Sequence, residues 1–151
     1  MIRTRSAALA ALLLVLVSAA HANSAFSLGL QLGKSDGGSF SGLTARVGEE
    51  KTLEGILAFD NSGWIVNGNY LIHSRSLFRQ DPIDFIKFYG GFGLGAWTPG
   101  DGGVWAQIPL GVDFRFAIPV ELSLYIAPGM NIVPKTEANW HFGLGIRYWF
   151  L

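Results

Sequence analysis

Residues 121–150 read ELSLYIAPGMNIVPKTEANWHFGLGIRYWF. Two alternating runs flank a short Pro134-Lys135-Thr136-Glu137 break. In the first, Leu122, Leu124, Ile126, Met130 and Ile132 share one face, with Glu121, Ser123, Tyr125, Gly129 and Asn131 on the other. In the second, Trp140, Phe142, Leu144, Ile146, Tyr148 and Phe150 oppose Asn139, His141, Gly143, Gly145 and Arg147. Period two marks strands whose two faces meet different surroundings, and two such runs across a short break form an antiparallel hairpin. The polar face is rich in Gly and carries Arg and Glu rather than Lys.

The same rhythm runs back through the chain. Phe26, Leu28, Leu30 and Leu32 alternate with Ser27, Gly29, Gln31 and Gly33, up to a turn at Ser35-Asp36-Gly37-Gly38. Leu43, Ala45 and Val47 alternate with Gly42, Thr44, Arg46 and Gly48, before a turn at Glu49-Glu50-Lys51. Leu53, Leu57 and Phe59 oppose Glu54, Ala58 and Asp60, before Asn61-Ser62-Gly63. Trp64, Val66, Tyr70 and Ile72 oppose Asn67, Asn69 and His73. After the longest connection, 74–83, come Phe88, Phe92, Leu94 and Ala96 against Tyr89, Gly91, Gly93, Gly95 and Trp97. A Gly/Pro-rich loop at 98–103 leads to Ile108, Leu110, Val112, Phe114 and Phe116 against Gln107, Gly111, Asp113 and Arg115, and a tight connection follows near Ile118-Pro119. Eight strands in simple succession predict an all-β fold, an eight-stranded antiparallel up-and-down barrel. Pro109 and Pro128 fall inside strands, where each deletes a ladder donor, so bulges or loosened pairing are expected there.

The start of the chain reads differently. Arg3 and Arg5 precede an apolar run over 7–17, and Ala20-His21-Ala22 fits a small-residue cleavage site. This is the pattern of a secretory signal peptide over 1–22, leaving a single domain at 23–151. The apolar run is shorter than the roughly 20 residues of a spanning helix. Losing Arg3 and Arg5 from 11 Lys+Arg leaves 9 basic residues against 11 acidic ones.

Composition narrows the class. Of 151 residues, 50% are hydrophobic, only 15% are charged and 20 are Gly, which excludes a disordered chain. Balanced charge argues against nucleic acid as a partner, and the lack of Cys leaves neither a disulfide framework nor a thiolate metal site. The decisive question is which face is outside. A lipocalin-like periplasmic barrel, the first alternative, would turn its apolar face inward around a lipid. A water-facing sheet surface carries Lys, Glu and Thr, whereas Gly weakens strands and offers no packing. Inside a narrow barrel, Gly makes room for Tyr89, Trp97, Tyr125 and Trp149. The charges suit an interior as well: Arg46, Lys87, Arg115 and Arg147 can neutralise Glu54, Asp60, Asp113 and Glu121. The apolar face is then the lipid-facing one of a transmembrane barrel, with Trp64, Tyr70, Trp140 and Tyr148 as membrane-interface aromatics. With so many large groups inside, a closed, side-chain-filled lumen is expected.

The I-A-P at 126–128, the I-V-P at 132–134 and the G-L-G-I-R-Y ending at 143–148 carry a family resemblance. So do Leu28 to Gly33, Gly42-Leu43-Thr44 and Asn69-Tyr70-Leu71. Over nearly the whole mature chain the sequence resembles small eight-stranded OmpA-transmembrane-domain-like outer-membrane barrels of spirochaetes and other Gram-negative bacteria. The resemblance implies a bacterial outer-membrane location and an up-and-down barrel. The ending also looks like the C-terminal signal read by the outer-membrane barrel assembly machinery, in Phe142, Leu144, Ile146, Tyr148 and Phe150. Leu151 departs from it, standing where Phe is usual.

Catalysis finds little support. A lipid A-modifying outer-membrane enzyme is the second alternative. The deacylase type resembles His-x-Ser, but His141 is followed at the second position by Gly143. The palmitoyltransferase type opens with an amphipathic helix, for which the first strand leaves no room. No nucleophile elbow is present. Gly91-x-Gly93-x-Gly95 alternates within a strand and is no nucleotide loop. Asp36, Asp60 and Asp101 read as turn formers rather than metal ligands. The expectation is a non-enzymatic barrel without cofactor or metal, acting through its rims, with outer-membrane lipid and the assembly machinery as partners and any extracellular ligand unidentified.

Overall fold

The computed structural model describes residues 25–60, 63–77, 81–98 and 102–150. The expected signal peptide, the tips at 61–62 and 99–101 with Asp101, part of the 74–83 connection, and Leu151 lie outside these residues. Among them are nine strand segments: β1 (Phe26–Ser35), β2 (Gly38–Val47), β3 (Lys51–Phe59), β4 (Trp64–His73), β5 (Ile83–Trp97), β6 (Gly103–Gln107), β7 (Leu110–Phe116), β8 (Val120–Val133) and β9 (Glu137–Phe150). Every neighbouring pair is antiparallel, and pairing of β1 with β9 closes the sheet into an eight-stranded barrel. Among the described residues there is no helix long and apolar enough to cross a membrane; a barrel crosses with strands.

Nine segments make eight barrel strands because β6 and β7 are one strand interrupted at Ile108-Pro109. Both lie between β5 and β8. The register Gln107↔Gly129 resumes as Leu110↔Ile126 without a slip. The Ile108 amide still donates to the Pro128 carbonyl (2.9 Å), and the Gly91 amide to the Pro109 carbonyl (3.0 Å). Each proline therefore removes the return bond of one pair and keeps the other. The expected loosening falls where the two prolines meet: Ile108, which faces Pro128, and Pro109 drop out of the ladder. β8 itself runs unbroken through its pairing with β9, and the register shifts lie elsewhere, between Val104 and Trp105 and between Ile83 and Phe85.

The foot of β1 and the end of β9 share the lower end of the barrel with the ends of β2, β4 and β7 and the starts of β3, β5 and β8. The ends of β1, β3, β5 and β8 and the starts of β2, β4, β6 and β9 mark the upper end. Following side-by-side residues around the wall climbs from Phe26 at the foot of β1 to Trp140, whose amide donates to Asp36 at its head (3.2 Å). This stagger is what tilts the strands of a closed barrel.

The outer face carries the apolar side chains. Leu30, Leu53, Phe92 and Leu94 are 59–65% exposed, while Ser27, Thr44, Arg46 and Arg147 on the inner face are at most 1% exposed. Inside, one circumferential row shows how the lumen is filled: Tyr89, Gly111, Tyr125, Gly143, Gly33 and Phe40 stand side by side. Side chains built on the three glycines would strike the rings of Tyr89, Tyr125 and Phe40 respectively. A Cβ on Gly95 would likewise lie within the Trp105 indole. Gly95→Ala is therefore expected to destabilise by about 1–3 kcal/mol through overpacking, read as a lower urea midpoint of the barrel refolded in vesicles. The inner face also holds more carbon than the alternation suggests. Phe40, Ile56 and Ala58 form a buried apolar cluster, with Ile65 and Tyr125 against it.

Candidate functional site in the barrel interior

The site is assembled from strand parity and height. Arg46, Asp113, Arg115, Glu121 and Arg147 point inward near the lower ends of β2, β7, β8 and β9, and Glu54 does so in the lower half of β3. Antiparallel pairing sets them level: Arg46 beside Glu54, Arg115 beside Glu121, Glu121 beside Arg147.

Arg46 is the hub. Its Nε donates to Glu54 Oε1 (2.7 Å), its Nη1 to Asp113 Oδ2 (2.7 Å) and to Glu121 Oε1 (3.4 Å), and its Nη2 to Ser123 Oγ (3.4 Å). Arg147 reaches the same three carboxylates: Glu121 through Nε (3.1 Å), Glu54 through Nη1 (3.4 Å) and Asp113 through Nη2 (3.4 Å). Two guanidinium forks thus share three carboxylates from three strands, an arrangement suited to Arg because its donors lie in a rigid plane. All five side chains are at most 7% exposed. At this depth charges need partners, and each has at least two.

Around the hub, Arg115 Nη2 adds a longer contact to Glu121 Oε2 (3.4 Å), and its guanidinium lies 4.0 Å from the Trp149 ring centroid. Trp149 Nε1 donates to Glu121 Oε2 (2.9 Å). His73 Nε2 lies 2.9 Å from Asp113 Oδ2 and its Nδ1 3.3 Å from Thr52 Oγ1. A polar chain climbs from the cluster. Glu54 accepts from Asn69 (2.8 Å), Asn69 from Gln107 (2.9 Å) and Gln107 from the Trp105 indole (2.8 Å). Trp105 in turn packs between Trp97 and His141, at 5.7 and 5.3 Å between centroids.

Two residues of the expected charge set lie outside this cluster. Asp60 has the inward parity but stands at the upper end, where it accepts from the Gly63 amide (2.8 Å) in the β3–β4 turn. Lys87 points inward near the lower end, but its ammonium sits over the Phe85 ring (4.5 Å) and makes no ion pair among the described residues. Arg115 occupies the same ring (4.6 Å). Among the described residues, the ion pairs of the cluster join three arginines and three carboxylates, with His73 added. Period two places His73, Asn69 and Gln107 on the inner face but does not join them with Trp105 in one network, and Trp105 falls before the sixth strand that the sequence predicts.

The four interface aromatics divide by height. Trp64 and Trp140 lie toward the upper end, and Tyr70 and Tyr148 toward the lower. Trp64 packs on Phe59 (4.4 Å), Tyr70 on Phe92 (5.7 Å) and Tyr148 on Phe150 (5.1 Å). Phe142, Leu144, Ile146, Tyr148 and Phe150 all face outward along β9. His141 lies inside, against Trp105, with no hydroxyl two residues on. Asp36 serves the Trp140 amide.

No family model matches the chain, and no curated protein matches it. Among solved structures, the N-terminal β-barrel domain of Pseudomonas aeruginosa OprF is similar, with a TM-score of 0.61 and 12% identity, over 83% of this chain and 97% of that one. Neisserial surface protein A also matches, with a TM-score of 0.46 and 10% identity, over 84% of this chain and 97% of that one. At this identity the likeness is one of fold. The chain is an eight-stranded antiparallel barrel with the fold of that domain.

Proposed function

We propose that the protein is a small integral outer-membrane barrel with a side-chain-filled interior, acting as a structural or interaction element through its rims and not as a catalyst. The observation that carries this reading is the facing. Fully buried arginines and carboxylates occupy the lumen while Leu, Ile and Phe cover the outside. Water favours the reverse, and hydrocarbon favours this arrangement, since a closed ladder also satisfies the strand backbone. A lipocalin-like carrier needs an apolar lumen, whereas this one is crossed by a charge cluster. Below the cluster a cavity of about 10 Å³ has room for about one water, which supports a plug rather than a channel. The reading without catalysis rests on His141, which faces the lumen, half-buried and tilted against Trp105, away from lipid outside. Outer-membrane lipid and the barrel assembly machinery are the proposed partners. The outward row Phe142, Ile146, Tyr148 and Phe150 is offered to the latter, and the lower end, with both termini, faces the periplasm.

Cell fractionation with a gel-shift assay tests this reading. The protein is expected in the outer-membrane fraction, extractable only with detergent, and to migrate differently before and after boiling. Recovery in the soluble periplasm without detergent would overturn it. For the catalytic alternative, a protein-dependent acyl change in lipid A mass spectra would do the same.

A further inference from the structure

The lipid-facing wall is not uniformly studded. Just below the Pro109 break it carries a shallow groove of about 600 Å³, within the size range of small-molecule sites. Phe88, Leu110, Val112, Leu124, Ile126 and Phe142 wall it, all apolar and all pointing outward from β5, β7, β8 and β9. Its floor exists because glycines leave the wall thin. At Gly111 and Gly143 the inner side is backed by the Tyr89 and Tyr125 rings, and at the groove's edge Gly90, paired with Leu110, carries no outward side chain. The groove lies on the outer wall below Trp140, which stands two residues from Phe142 on the same face of β9.

We propose that this groove is a binding site for one acyl chain of a membrane lipid, held more tightly than the lipid around the rest of the barrel. The inference rests on the reading of the outer face as lipid-facing. The chemistry follows from the lining. It offers aliphatic and aromatic carbon with no charged group and no free backbone donor to attract a head group, and it continues the apolar belt in which acyl chains already lie. A concave wall removes more of a chain from competing contacts than a convex one, so dispersion contacts accumulate along its length. A Cβ on Gly90 would meet only the Cδ2 end of Leu110, at 3.2 Å, so a larger side chain there crowds the groove at its Leu110 edge without striking backbone. Gly68 is the matched control. It faces outward from β4, beside Leu94 of β5 and away from Leu110, with open space around it.

The test is native mass spectrometry of the full-length protein, extracted from outer membranes in mild detergent and then exchanged into fresh detergent. Wild type and Gly68→Leu are expected to retain one lipid per barrel, whose mass tells a glycerophospholipid from lipid A. Gly90→Leu is expected to lower that occupancy about tenfold, the loss expected when about ten carbon–carbon contacts of the chain are displaced. Val112→Phe, which narrows the groove from below, gives the same loss should Gly90→Leu fail to shift on gels. Equal occupancy in wild type and both groove variants, or equal loss in Gly68→Leu, would overturn the proposal. So would a wild-type dimer that Gly90→Leu dissociates without loss of lipid, which would make the groove an interface between copies. A lipid-free barrel in the membrane fraction sinks only the groove, whereas a soluble protein sinks the membrane reading beneath it.

Discussion

Replacing Arg46 with Met is expected to destabilise the barrel by about 3–5 kcal/mol, the cost of leaving buried charges without their partner. Arg46 is 1% exposed and touches Glu54, Asp113 and Glu121. Its loss leaves three carboxylates facing Arg147 and the more distant Arg115 in a lumen closed to solvent. Met fills much of the volume, so the effect reports charge rather than a cavity. Arg46→Lys is expected to fall in the same direction, because one ammonium cannot reproduce a fork that bonds through Nε and both terminal nitrogens. The double variant Arg46→Met with Asp113→Asn restores the balance of charges. It should recover part of the loss, with a coupling of about 0.5–3 kcal/mol. Urea titration in vesicles, followed by the gel shift, measures all three. Full stability of Arg46→Met would mean that the cluster is solvated and contributes little.

The second large effect is expected at Leu124→Arg. Leu124 faces outward at mid-height on β8, and Arg at the bilayer midplane of a barrel costs about 2–4 kcal/mol. Val120 lies on the same face of the same strand, at its lower end. Val120→Arg should cost only about 0–1 kcal/mol, as near the interface. The gradient along one strand is the informative quantity. A barrel standing in water has no such gradient, and equal costs at the two positions would defeat the membrane reading.

How much of this was legible in the sequence depends on which coordinate is asked for. Period two fixes which face a residue joins, and it placed Arg46, Glu54, Asp113, Arg115, Glu121 and Arg147 inside together. It carries no height. Asp60 and Glu54 share a face of β3, yet Asp60 lies in the upper turn and Glu54 lies next to Arg46 in the ladder. Counting from the nearest turn supplies the missing coordinate. Arg46 lies two residues before Gly48 at the lower end, whereas Asp60 opens an upper turn. Lys87 stands outside the cluster for another reason: its cross-strand neighbour Asp113 is held by Arg46, Arg147 and His73, and its ammonium lies over the Phe85 ring instead. The apolar inner residues Ile56, Ile65 and Leu71 are illegible because polar positions on the same strands carry the signal. Trp105 is hidden because the Gly-rich loop masks the start of its strand. Pro109 and Pro128 are legible as a disturbance, but the sequence does not show that the register survives it.

The charge cluster also bears on how such a barrel comes together. Arg46 and Glu54 come from the first half of the chain, and Asp113, Glu121 and Arg147 from the second. Arg147 arrives on the final strand and at once faces carboxylates from β3, β7 and β8. A hairpin entering hydrocarbon alone would carry its charges without the partners from the other half, against the pull of its apolar face. The bridges between the halves, from Arg46 to Asp113 and Glu121 and from Arg147 to Glu54, form only as the β1–β9 seam closes. The lumen works as a latch that engages only when the last strand is home, favouring assembly in one concerted step over insertion strand by strand.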